Sequence, residues 1–216
     1  SPATHSQHHQ LLHTKSGAPI SIEEAKYLAR YAGNGRLSIF LNGVKTSEPD
    51  AVRQGLDYAL TVFYNPSIGT ISDFAEAASQ LGGPTEIDLE LARILNRLAE
   101  AGVPVDIVAF SQGNEIIWNT ARAGARFAPG STVESYSSPV SKQDLEDSLP
   151  DGIRVLPHTP FNDPISLVQG ARSIRQGDIF GGIIRIYGGY NGLKRDIPGL
   201  FRSTTHRMPR RNTTDR

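Results

Sequence analysis

Apolar positions along this chain recur in two alternating rhythms, short β-rich runs and longer stretches of helical period. Ser21 and Glu24 make an S-x-x-E capping box ahead of a run with Ala25, Leu28 and Ala29 on one face, which predicts a helix. LSIFLN (Leu37 to Asn42) reads as a buried strand, Pro49 to about Leu60 as a helix, and TVFYN (Thr61 to Asn65) as a second strand. Ser72 caps a predicted short helix through Leu81. Glu86 to Ala101 is strongly amphipathic, with Leu89, Leu91, Ile94, Leu95 and Leu98 in its apolar stripe. VDIVAF (Val105 to Phe110) is a third strand, and Asn114 to Phe127 another helix. Thr132 to Ser137, Ile153 to Leu156 and Ile183 to Tyr187 bring the predicted strands to six. Short strands alternating with helices imply an α/β fold, a mostly parallel sheet of about six strands with helices on both faces.

The ends read differently. Four of the six histidines, His5, His8, His9 and His13, fall in the first 13 residues among Ser, Gln and Thr. Residues 1–20 are therefore expected to be a flexible His-rich arm, 21–207 the folded domain, and 208–216 a basic tail. Lys and Arg balance Asp and Glu at 22 each, which excludes the basic excess of a dedicated nucleic-acid binder. No apolar run approaches the roughly 20 residues of a membrane span, and SPATHSQHHQ is no secretory leader. A soluble protein is the expectation. With no cysteine, disulfides, thiolate metal sites and cysteine nucleophiles are ruled out. Met208 is the single methionine, so the chain reads as a processed product or a piece of something larger.

The chemistry concentrates in VDIVAFSQGNEIIW. A hydrophobic strand runs directly into Ser111 and a helix follows at once. So sharp a reversal crowds the backbone, and small residues two before and two after the serine relieve it; Ala109 and Gly113 meet that need. The Ser111 hydroxyl would then project above the sheet edge beside the helix N-terminus, where the Gln112 amide is placed to stabilise an oxyanion. An ordinary strand–helix turn with Ser as a cap would use the same residues.

Ala109-Phe110-Ser111-Gln112-Gly113 resembles the G-x-S-x-G nucleophile elbow of α/β-hydrolases, with Ala in the first Gly position. The resemblance extends from about Leu37 to His206 through the order of elements. It implies a reduced hydrolase-like sheet without the usual two leading strands and without a large lid, since Ser138 to Gly152 is short. It also implies an oxyanion loop at Gly43 and Val44, after LSIFLN. Asp163, after the fifth strand, becomes the acid, although between Asn162 and Pro164 it also suits a turn. His206, beyond the final strand IIRIY, becomes the base. His158 is the competing base, and Glu134 and Asp144 are the fallback acids.

The resemblance thus implies a serine hydrolase acting on a carboxylic ester or thioester through an acyl-serine, lipase- or esterase-like, with no cofactor and no metal. Phe110, Phe161 and Phe201, with Val44, offer apolar contacts for an acyl chain. The partner would be a small-molecule or lipid acyl ester, and not nucleic acid. Lys194, Arg195, Arg202, Arg207, Arg210, Arg211 and Arg216 make the C-terminal part basic, which suits contact with an anionic surface. NGVKTS, FYNPS and FSQGN also resemble hydrolase domains of large secreted or effector proteins of bacteria, which would make the chain secreted or part of a secreted protein. Two other classes remain. One is a catalytically silent hydrolase fold used for binding. The other is a nucleotide-binding domain, disfavoured because AGNGR precedes a strand and GGYNG leads into no clear helix.

Overall fold

The computed structural model describes residues 10–43, 46–66, 84–160, 163–195 and 208–209. In chain order they form β1 (Leu11–His13), β2 (Pro19–Ile20), α1 (Ile22–Ala32), β3 (Leu37–Leu41), α2 (Glu48–Leu56), β4 (Thr61–Phe63) and α3 (Glu86–Glu100). There follow β5 (Val105–Phe110), α4 (Gly113–Arg122), β6 (Thr132–Tyr136), α5 (Lys142–Ser148), β7 (Arg154–His158), α6 (Ser166–Arg175) and α7 (Ile179–Arg195). One sheet takes all seven strands in the order β2-β1-β4-β3-β5-β6-β7. The strands β3 to β7 run parallel, and β1 is antiparallel to both of its neighbours. The expected α/β class with a mostly parallel sheet is what forms.

Side-chain alternation divides the core in two. On β3 and β5, Leu37, Ile39, Leu41, Val105, Ile107 and Ala109 turn to the face covered by α1, α3 and α4. Phe40 and Val108 turn to the other face, under Ala51 of α2. Leu91, Leu95 and Leu98 of α3 are fully buried on the first face, each contributing roughly 1.5–3 kcal/mol by leaving water. A Thr85–Asp88 capping box starts α3, its side chains and backbone amides bonding reciprocally. At the start of α1, the Ser21 hydroxyl accepts from the Glu24 amide, as S-x-x-E predicts.

Two expectations are corrected. Residues 11–20 do not belong to a flexible arm. Leu11 and Leu12 are buried, and β1 pairs with β4 through Leu11–Phe63, Leu12–Val62 and His13–Thr61. Two adjacent leucines in a polar stretch suffice because one enters each face of the core. Two strands therefore precede Leu37, where none was expected. Ile183–Tyr187, in contrast, is not a strand but the middle of α7. IIRIY has β-branched composition, but the larger period that includes Ile179, Phe180, Ile183, Ile184, Tyr187 and Tyr190 is helical. Glycines then let α7 approach α6 closely: a Cβ on Gly170 would meet the Gly182 carbonyl oxygen at 2.6 Å. The described residues thus hold seven strands, where about six were expected.

Each edge of the sheet carries a proline, Pro19 in β2 and Pro157 in β7. The Ser137 amide donates to the His158 carbonyl at 3.1 Å, so strand alternation turns the Pro157 backbone away from β6. The connection from β6 to β7 holds only the short helix α5, as its length implied. The helix expected over 72–81 lies outside the described residues. In the basic tail, Met208 packs against the core cluster of Phe40, Val62 and Val108.

Candidate active site

Strand order reverses direction at β3 and β5. The chain passes from β3 outward to β4, and from β5 outward the other way to β6 and β7. In open parallel sheets such a switch leaves a crevice at the C-terminal strand ends, where ligands bind. Ser111 and Gly43 stand at that crevice, directly after β5 and two residues after β3.

Ser111 is held in a left-handed conformation, with φ 52°. Such a conformation costs a non-glycine residue on the order of 1–2 kcal/mol. The surroundings hold it there. The Ser111 amide donates to the Tyr136 carbonyl at 3.0 Å, and the Ser111 carbonyl accepts from the Asn114 amide at 3.0 Å. The fully buried Asn114 side chain adds Nδ2 bonds to the carbonyls of Ser111, Tyr136 and Ala109 at 3.1, 3.2 and 3.3 Å. Small neighbours are required as expected. A Cβ on Gly113 would lie 2.5 Å from the Leu41 carbonyl oxygen, so only glycine lets α4 begin against β3. Ala109 is buried completely.

Gly43 lies against the serine: a Cβ there would come within 3.2 Å of both the Ser111 Cβ and the Phe110 ring. Gln112 opens α4, where the first helical N–H groups have no i−4 carbonyl to bond. A chain of amide side chains fixes these loops. Asn42 Nδ2 donates to the carbonyls of Gly43 and Asn65, both at 2.9 Å, and Asn42 Oδ1 accepts from the Asn65 amide at 2.8 Å. Asn65 Nδ2 in turn donates to Gln112 Oε1 at 2.9 Å. The segments after β3, β4 and β5 are thereby tied together around Ser111.

Asp163 is fully buried, five residues after β7. Its Oδ1 accepts from the Ile165 amide at 2.9 Å and its carbonyl from the Ser166 amide at 2.9 Å, so it also shapes the entry to α6. His158 ends β7 and stacks on Tyr136, with ring centroids 4.5 Å apart and planes 14° from parallel. Two strand spacings, about 10 Å, separate β7 from the serine strand β5. Of the fallback acids, Glu134 accepts from the Tyr136 hydroxyl at 2.9 Å. Asp144 accepts from Gln176 at 3.2 and 3.3 Å. Phe110 packs partly into the core cluster of the second face. Val44, Phe161, Phe201 and His206 lie outside the described residues.

The asparagines were not singled out by sequence reading. Their signal was there: Asn42 and Asn65 each end an apolar strand run, LSIFLN and TVFYN. An ion pair was also missed. Arg172 of α6 donates to Glu115 of α4 at 3.1 Å with both side chains 9% exposed, which fastens the α6–α7 hairpin to the helix behind the serine. Burial pushes the Glu115 carboxyl up to about 7, against the pull of the Arg172 guanidinium. Burial also lowers the Arg172 pKa, so desolvation dominates on both sides of the pair. A carboxyl raised in the folded state keeps a proton that the unfolded chain releases. Its contribution to stability is thus full below its ordinary value of 4.5 and declines as pH rises to about 7. Urea unfolding should show the stability of the native chain falling relative to Glu115→Gln across that window and level above it. A constant difference would show that Glu115 titrates as an exposed carboxyl.

Compared with known proteins, the chain matches no family model, no curated protein and no solved structure.

Proposed function

We propose that this chain is a serine hydrolase of α/β-hydrolase type, cleaving a carboxylic ester or thioester. The observation that carries the reading is Ser111, a buried serine in a strained left-handed turn between strand and helix, at the switch point of the sheet, with Gly43 against its Cβ. Glycine would adopt this conformation without cost, so a serine held in it between strand and helix points to a use for its hydroxyl. The reading also draws on strand order: five parallel strands arranged 4-3-5-6-7, the serine after β5 and Asp163 after β7.

In this reading a neutral His206 takes the Ser111 proton as Oγ attacks the acyl carbonyl, then returns it to the leaving alcohol or thiol. Water, deprotonated by the same base, splits the acyl-serine and regenerates the hydroxyl. Asp163 orients the imidazole and stabilises its protonated form. The Gln112 amide and one from Gly43 or Val44 hold the oxyanion. The Asn42–Asn65–Gln112 hydrogen bonds keep those two segments at fixed separation, which pre-organised stabilisation requires. Met208, two positions beyond His206, packs on the sheet face that also carries Phe110. Phe110, with Phe161 and Phe201, would meet the acyl chain.

A fluorophosphonate probe tests this directly. It should form a stable adduct that peptide mapping assigns to Ser111, and boiling the protein first should abolish labelling. Native protein that takes up no probe would be a silent fold serving as a binding module.

A further inference from the structure

The hairpin of α6 and α7 is built inside out. Its buried seam is glycine: Gly170 and Gly182 approach so closely that a Cβ on either would strike the other's carbonyl oxygen, and Gly189 sits against Leu167. Ile186 joins the seam against Gly170, but six other large apolar residues of α7 turn away from it. Phe180 is 78% exposed, Tyr187 64% and Ile179 61%, with Ile183, Ile184 and Tyr190 also exposed. At 100° per residue these six fall within an arc of about 140°, a continuous apolar stripe. So large a contiguous apolar surface marks a contact site.

Charge selects the occupant. Residues 164–216 hold 10 Lys and Arg against 3 Asp and Glu, whereas residues 1–163 hold 12 against 19. The stripe thus belongs to the cationic last quarter of an otherwise acidic sequence. A second copy of the same hairpin would oppose like charge to like. An anionic lipid surface satisfies both features, taking up isoleucine and phenylalanine below the headgroups and attracting the basic segment. The tyrosines suit that boundary, with an apolar ring and a polar tip. The helix, 17 residues long, is not long and apolar enough to cross a membrane, so it would lie on one.

We infer that α7 docks its Phe180–Tyr187 stripe onto membranes bearing anionic lipids. The inference does not rest on the Ser111 reading, and its test reads binding, not hydrolysis. The full chain is sedimented with phosphatidylcholine vesicles containing about 30 mol% phosphatidylserine, and with phosphatidylcholine alone. Binding is expected to the first and to weaken as salt is raised through about 0.5 M. The double variant Phe180→Ser/Tyr187→Ser should bind roughly 10-fold or more weakly, by loss of buried apolar area. Tyr27→Ser/Tyr31→Ser, an exposed aromatic pair on α1, should bind as the native chain does. Absence of binding, equal binding to both vesicles, or indifference to the α7 variant would each overturn the proposal. So would a dimer that the α7 variant dissolves in a chain that binds no vesicles.

Discussion

Ser111→Ala is expected to lower turnover of a short-chain aryl ester by about 10³-fold or more, leaving only what binding and the oxyanion amides supply. The fold should survive, because the bonds holding this turn come from the Ser111 backbone, Asn114 and Tyr136. Alanine inherits the left-handed φ of 52° and its strain. Ser111→Gly should be equally inactive yet more stable than Ser111→Ala, by up to about 1 kcal/mol, since glycine takes this conformation freely. Thermal melting of the pair beside their turnover separates the roles. A serine kept for chemistry predicts stability gained and activity lost together. More than about a tenth of native turnover in Ser111→Ala would end the nucleophile assignment.

The second large effect concerns the base. His206→Ala should lose on the order of 10³-fold or more in turnover, and His158→Ala far less. His158 is already engaged as a stacking partner of Tyr136, two strands from the serine, on the strand that leads to the proposed acid. Removing it should cost packing at the end of β7, seen as a lower melting temperature with turnover largely kept. Circular dichroism on both variants guards against unfolding as the cause. If the losses are reversed, the base lies on the β7 side, and the acid must be sought again among Glu134, Asp144 and Asp163.

The part of this architecture legible in the sequence is the part where local and tertiary demands agree. From Leu37 to Leu156 each strand is a short apolar run and each helix has a polar face. The strands there are read in their right order, although the short helix α5 between β6 and β7 is missed, and the turn at Ser111 is where the small residues Ala109 and Gly113 imply it. Reading fails where a few residues act through distant partners. Leu11 and Leu12 look like chance leucines in a polar arm until Phe63 and Val62 are known to lie beside them. IIRIY has strand composition over five residues, and its helical character shows only in the wider period from Ile179 to Tyr190 and in its glycine-lined contact with α6. Within the site, Ser111 could be placed from its small neighbours, and Gly43 only through the resemblance in element order. The asparagine bonds that hold their loops join positions 23 and 47 residues apart, beyond any local pattern.

The prolines at the two borders of the sheet bear on how copies of this protein behave when crowded. Exposed borders are where β-proteins add strands to one another and aggregate, because a row of unmet amide donors and carbonyls invites a partner. Here one border strand is two residues long and begins with Pro19, and the other turns Pro157 outward where a donor would stand. A strand arriving at either side finds a broken row of hydrogen bonds. Growth of the sheet from molecule to molecule is discouraged at both ends. Among the described strands, neither border offers a template for another molecule, which favours assembly through side-chain surfaces at high concentration.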